Sequence, residues 1–212
     1  RIHFGEWSLP GDEGVDGAML RITSLIDGAT QTLGPAQMRA WSGAPAYFNG
    51  GAVRVELLVR GSRDLWSSAF LRAAYAEALN PSFAGRSICD TDDNRALDAD
   101  PIMARVWPIG CSATIIQDFN AGFLTAGHCG PAAGSVVQFN VPLSTTTGVP
   151  NSPPPADQFP IDNNSVQRQS DGSGQDWSYF GAYSNTTGQT PSQQQGLGAV
   201  LAPAAPVAVN TP

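Results

Sequence analysis

The 212-residue chain contains no lysine; its eleven cationic side chains are all arginine. That absence excludes a Schiff-base lysine and a phosphate-loop lysine. Histidine is almost as scarce, with only His3 and His128. The two stand far apart in the chain and cannot supply the close-spaced ligand pair of a helical metalloprotease motif. Cysteine is limited to Cys89, Cys111 and Cys129, an odd number that permits at most one internal pair. Their spacing fits no two-pair zinc pattern, so no metal and no other cofactor is expected. Charged residues are 14% of the chain, where about 25% is usual. The net charge of -7 has the wrong sign for a nucleic-acid binder. No apolar run reaches the roughly 18 residues of a membrane-spanning helix, so neither nucleic acid nor membrane is an expected partner.

Glycine and proline are abundant instead, at 23 and 17 residues, and 42% of the chain is hydrophobic. Many turn formers, few charges and enough apolar residues for a core predict an all-β chain of short strands. Ala18–Ile26 is apolar with partial alternation and ends at Asp27-Gly28, a turn dipeptide. Ala46-Tyr47-Phe48 leads to Asn49-Gly50-Gly51, a second turn, and Val53, Val55 and Leu57 then alternate on one face. Residues 1–88 are expected to form a β-sandwich-like accessory or pro-region. Within it, the Ala-rich stretch 64–79 carries a helical stripe between Asp64 and Asn80-Pro81, and a short helix is expected there. Trp7, Trp41, Tyr47, Phe48 and Trp66 read as sandwich core rather than as a ligand surface.

Residues 89–103 form a polar, Asp-rich linker; it lacks the central Gly and distal Glu of a helix-loop-helix calcium site. Strands return in the third part, 104–212. Cys111–Ile116, a turn through Asp118–Gly122, and Phe123–Cys129 make a hairpin. Residues 142–175 read as loop, and Asp176–Phe180 as a strand. The chain opens at Arg1 without a signal-peptide pattern, as though processed or cut. Asn163-Asn164-Ser165 and Asn185-Thr186-Thr187 match the glycosylation pattern, which is common by chance.

Thr125-Ala-Gly-His-Cys129 is the informative stretch. A histidine ends an apolar run, a cysteine follows it, and Cys111 begins the preceding strand. The hairpin brings those two strand ends together. A bridge between them would close a loop beside His128 and contribute roughly 3 kcal/mol by loop entropy. Gly110–Ile116 together with Phe123–Cys129 resembles, in order and character, the trypsin/chymotrypsin-like serine peptidases. The resemblance covers roughly residues 104–202 and implies the first of that family's two β-barrels. It implies that His128 is the catalytic histidine, that Cys111 pairs with Cys129, and that the protein is secreted, outside the reducing cytosol. It further implies an aspartate on a later strand. Asp157, Asp162 and Asp171 lie among Pro, Asn, Ser and Gly; only Asp176 opens an apolar stretch, and it is taken as the partner of His128. Residues 20–33 and 41–56 are more loosely similar to the β-rich segment that precedes the catalytic domain in some bacterial secreted members.

The function so implied is that of a serine endopeptidase acting on protein or peptide substrates through a His-Asp-Ser triad. The family's nucleophile motif, Gly-Asp-Ser-Gly-Gly, is nowhere in the chain. Ser170-Asp-Gly-Ser-Gly174 has its letters in the wrong order and precedes the aspartate; Ser178, Ser184 and Ser192 lack the flanking glycines. No nucleophile is therefore assigned. The chain reads as an inactive N-terminal fragment whose missing partner is its own C-terminal barrel, with Cys89 left for a cysteine of that barrel. The alternative is a non-catalytic secreted binding protein built from a β-sandwich module and a degenerate peptidase half.

Overall fold

The computed structural model describes residues 1–11, 17–59, 66, 68–74, 100–146, 148–172, 174–196 and 198–202. Cys89, most of the expected linker, Ser173 and the tail beyond 202 lie outside these residues. Among those described, no helix is long and apolar enough to cross a membrane. The architecture is all-β, as expected, and its centre is a closed six-stranded antiparallel barrel.

Eleven strands lie among the described residues. Those of the N-terminal part are β1 (Ile2–Ser8), β2 (Met19–Ser24), β3 (Thr30–Leu33), β4 (Val53–Leu58) and β5 (Ser68–Ala74). Those of the barrel are β6 (Met103–Trp107), β7 (Cys111–Ile115), β8 (Phe123–Thr125), β9 (Val136–Gln138), β10 (Gln158–Ser170) and β11 (Asp176–Ala182). The barrel order is β10-β11-β8-β7-β6-β9, and the pairing of β9 with β10 closes it. Alternation along each strand sends one set of residues inward. Val106, Ile115, Phe123, Val137, Phe159 and Phe180 are all fully buried there. Phe123 stacks on Phe180 with centroids 5.4 Å apart, and Phe139 meets Phe159 edge-on at 5.7 Å. Ala104 and Ala113 face the same core and leave the volume those rings fill.

The N-terminal part forms two small sheets, β3-β2-β4 and β1-β5. Its core takes Phe4 from β1, Leu20 and Ile22 from β2, and Leu33 from β3. Met38 from helix α1 (Pro35–Ala40) and Trp41 complete that set, and Trp107 and Val136 of the barrel belong to the same apolar cluster. Polar contacts cross the seam as well. Tyr47 N–H donates to Gln158 Oε1 at 3.0 Å, and Gln158 Nε2 donates to the Tyr47 carbonyl at 2.8 Å. Asn49 repeats the arrangement, accepting from Ser152 N at 2.8 Å and donating to the Ser152 carbonyl at 3.0 Å. In both places a side-chain amide completes the hydrogen bonds that a neighbouring strand would otherwise make. Arg1 stacks on the Tyr47 ring at 4.3 Å and donates to the Gly134 carbonyl of the barrel.

Three local expectations change. The Ala-rich stretch expected as helix contains strand β5, paired antiparallel with β1 from Ile2↔Ala74 to Ser8↔Ser68. Tertiary pairing overrides the weak helical preference of alanine there. The stretch expected as loop, 142–175, contains β10, the longest strand of the molecule at 13 residues. The face defined by Val53, Val55 and Leu57 exists, but β4 is an edge strand of its sheet, so Val55 and Leu57 remain 43% and 41% exposed. Helix α1 and a second short helix, α2 (Pro191–Gln195), were not expected.

The seam yields a stability prediction. Gln158 is completely buried, and its amide serves Tyr47 N–H, the Tyr47 and Pro153 carbonyls and Gln138 Nε2. Gln158→Leu keeps roughly the volume but leaves several buried backbone groups without partners. A loss of about 3 kcal/mol is expected, read as a lower urea midpoint with the m-value unchanged.

Candidate functional site

The β7–β8 hairpin forms as the sequence predicts. Thr114 pairs with Leu124 and Ile115 with Phe123, around a turn that Asp118 holds by accepting from the Asn120 and Gly122 amides. Beyond β8 the chain enters a single 3-10 turn, Gly127–Cys129, which carries His128. Cys129 is buried and Cys111 lies at the base of β7; their sulfurs stand at bonding distance with Cα atoms 6.0 Å apart, closing a separation of 18 residues. Among the described residues one group has metal-ligand proximity, Cys111, His128 and Cys129. Its two sulfurs face each other as a disulfide, which removes the thiolates that a zinc site of this composition needs.

Asp176 comes from a different hairpin. It opens β11, opposite Ser170 at the end of β10, and β11 pairs with β8 through Ser178↔Thr125. That pairing places the head of β11 beside the histidine turn. One carboxylate oxygen, Oδ2, lies 2.6 Å from His128 Nδ1; the other, Oδ1, accepts the His128 backbone N–H at 2.8 Å. The sequence separation is 48 residues. The carboxyl is held below its ordinary value of 3.8, first by the bond to the His128 ring and next by the bond from the His128 amide. Partial burial opposes the shift, and the Ser170 hydroxyl assists it. An ionised carboxylate only accepts, so His128 Nδ1 carries the proton of this bond. The neutral ring then keeps a lone pair on Nε2, for which no described residue supplies a partner. The imidazole is 67% exposed and the carboxylate 30%.

The other acids weighed as partners are engaged elsewhere. Asp157 accepts from Asn140 and Gln194, Asp162 accepts from the Asn164 amide, and Asp171 accepts from Gln169. His3 sits on β1, away from this pair in the fold. Ser178 faces the barrel interior, fully buried, and its hydroxyl is unpartnered among the described residues. It is therefore no exposed nucleophile. Ser170 lies opposite Asp176 in the β10–β11 ladder.

The arrangement fixes the tautomer, orientation and backbone of one exposed imidazole through a single carboxylate. Chemically, such an arrangement can act as a general base with its orienting group. Sequence reasoning found both members; it missed Ser170 and the tight seating of the β10 end against the histidine turn, because those contacts come from backbone placement and have no residue signature. No protein-family model, curated protein or solved structure matches the chain.

The Asp176 shift sets an acid limit for the pair. Its folded-state value lies below that of the unfolded chain, so the folded state binds fewer protons in that range. The pair's contribution to stability is complete above pH 3.8 and is lost as pH falls through the lowered folded value. Carbon-detected NMR of the Asp176 carboxyl is expected to give a midpoint below 3.8, and Asp176→Asn is expected to remove that part of the acid dependence.

Proposed function

We propose that this chain carries the base and orienting acid of a serine-type endopeptidase, with His128 as general base and Asp176 as its positioning carboxylate. The observation that supports the reading is the two-point contact of Asp176 with His128, made beside the Cys111–Cys129 pair. A hydroxyl is a poor nucleophile until a base removes its proton. An imidazole with Nδ1–H bound to a carboxylate has the tautomer for that step and the stabilisation for the imidazolium that follows. The ring then returns the proton to the leaving amine, and a second cycle with water releases the acyl group.

The nucleophile belongs to a segment outside residues 1–212, in a second barrel that docks beside the imidazole. Leu124 and Trp177 fit that arrangement, because they leave apolar surface on β8 and β11, the two strands that present the pair. The disulfide supports an oxidising, extracytoplasmic location, and the substrates are proteins or peptides.

The test is labelling with a serine-directed phosphonate. The full-length gene product is expected to label at one serine outside this chain, and residues 1–212 alone are expected not to label. His128→Ala in the full-length protein is expected to reduce peptide hydrolysis by about 10⁶, and Asp176→Asn by about 10⁴, as in protease triads of this type. Labelling that survives His128→Ala overturns the reading. A full-length product that neither labels nor cleaves favours the non-catalytic binding protein.

A further inference from the structure

Two glycines flank the catalytic candidate, and they are not equivalent. Gly127 precedes His128 and is buried; Gly130 follows the turn and is buried as well. Neither has a positive φ, so neither is required by backbone conformation. Space is the difference. A Cβ on Gly127 would stand 1.8 Å from the carbonyl oxygen of Gln169, 2.8 Å from its carbon and 2.9 Å from Asp176 Oδ1. A Cβ on Gly130 would meet first the Arg168 Cδ, at 2.6 Å, and then the Gly127 carbonyl oxygen at 3.0 Å, a contact that a few tenths of an ångström relieve. Arg168 is an exposed, flexible side chain that can turn aside; the Gln169 carbonyl is part of a strand.

We propose that Gly127 is a positioning residue for the His128–Asp176 pair, acting by letting the Gln169 carbonyl rest directly on the histidine turn. The inference rests on the peptidase reading only for its catalytic meaning; the geometry stands without it. Gln169 pairs with Trp177, and Ser170 with Asp176. The carbonyl and the carboxylate are therefore carried by the same hairpin end, one rung apart. Gln169 Nε2 also donates to Asp171 Oδ2 at 2.9 Å and Gln175 Oε1 at 3.0 Å, which ties that end together. Whatever lifts the carbonyl away from Gly127 lifts Asp176 away from His128. Restoring an ordinary carbon contact of about 3.5 Å requires a shift of roughly 1.7 Å. A shift of that size takes bonds of 2.6 and 2.8 Å beyond hydrogen-bond range. The disulfide cannot compensate, because it ties the turn to β7 and not to the β10–β11 hairpin.

The test measures Asp176 itself in the intact chain, by the pH titration of its carboxyl carbon and by amide hydrogen exchange at His128. The native chain is expected to titrate below 3.8 with a protected His128 amide. Gly127→Ala is expected to return the midpoint toward the ordinary value and to raise His128 amide exchange at least tenfold. Gly130→Ala is expected to match the native chain in both readouts. Gln169→Ala, which leaves Gly127 in place and removes only the ties across the hairpin end, is expected to move both readouts part of the way. In the full-length protein, Gly127→Ala is expected to lower kcat per active site by about a hundredfold with KM little changed, the sites being counted by phosphonate titration so that a smaller folded fraction does not imitate the loss. A Gly127→Ala chain that titrates like the native one overturns the proposal. If Gly127→Ala does not fold, an unchanged Gln169→Ala chain overturns it in its place. An ordinary Asp176 midpoint in the native chain removes the pair, and the peptidase reading with it; a low midpoint in both native and Gly127→Ala chains removes only the role of Gly127.

Discussion

The strand Gln158–Ser170 is the constraint on which the rest of the structure depends. Its first three residues pair with Val136–Gln138 and close the barrel. Its last four pair with Asp176–Tyr179 and hold the head of β11 beside the histidine turn. The two stretches are separated by an irregularity between Asp162 and Gln167. Such a bulge turns the strand so that one chain segment serves two edges. Ser165 satisfies the interrupted ladder, accepting from Gly181 N and donating to the Asp162 carbonyl, both at 2.7 Å. Barrel closure and the approach of carboxylate to imidazole are thus consequences of one element.

The same strand begins at the seam with the N-terminal part, where side-chain amides make the polar contacts. Arg105 is half-buried with no carboxylate among its described hydrogen-bond partners; burial lowers its guanidinium to about 10. It is accommodated by Gln138 Oε1 at 2.6 and 2.8 Å, by the Asn151 carbonyl at 2.7 Å and by the face of Trp107 at 4.7 Å. Neutral amides and a ring then do the work that a carboxylate does elsewhere, with less desolvation to offset. The seam lies on β6, β9 and the start of β10, whereas the His–Asp pair lies at β8 and β11. In the cyclic order of the barrel, β9 is opposite β8 and β6 is opposite β11. The N-terminal part therefore packs on the side of the barrel away from His128. A segment bound there reinforces the barrel without covering the imidazole.

The legible parts of the fold were those whose signal is local. Cys111–Ile115 and Phe123–Thr125 announce a hairpin because an apolar run, a turn acid and a second apolar run follow in a few residues. Asp176 was legible because it opens an apolar strand while its rivals do not. Strand β10 was illegible because its exposed half reads Asp162-Asn163-Asn164-Ser165, a composition that signals a turn; its strand character is imposed by partners on both sides. The segment Ser68–Ala74 was misread for the same reason, since its partner Ile2–Ser8 is distant in sequence. Helix α2 was legible in principle: Thr190, Pro191 and Gln193 form a capping box with proline at the first turn.

The disulfide and the carboxylate divide the task of holding the histidine. The bridge joins the turn to the base of β7, within one hairpin, and acts on the main chain behind the ring. The carboxylate arrives from the second hairpin and takes both the ring Nδ1 and the backbone N–H of the same residue. A single-point contact would permit the ring to swing about it; two points on one residue couple ring orientation to main-chain position, so that neither changes without losing a charge-assisted bond. The imidazole itself is 67% exposed, outside the packed interior of the closed barrel. Ser178, two residues after Asp176 on the same strand, is sealed in that interior. On the proposed peptidase reading, the base therefore serves a group outside the barrel.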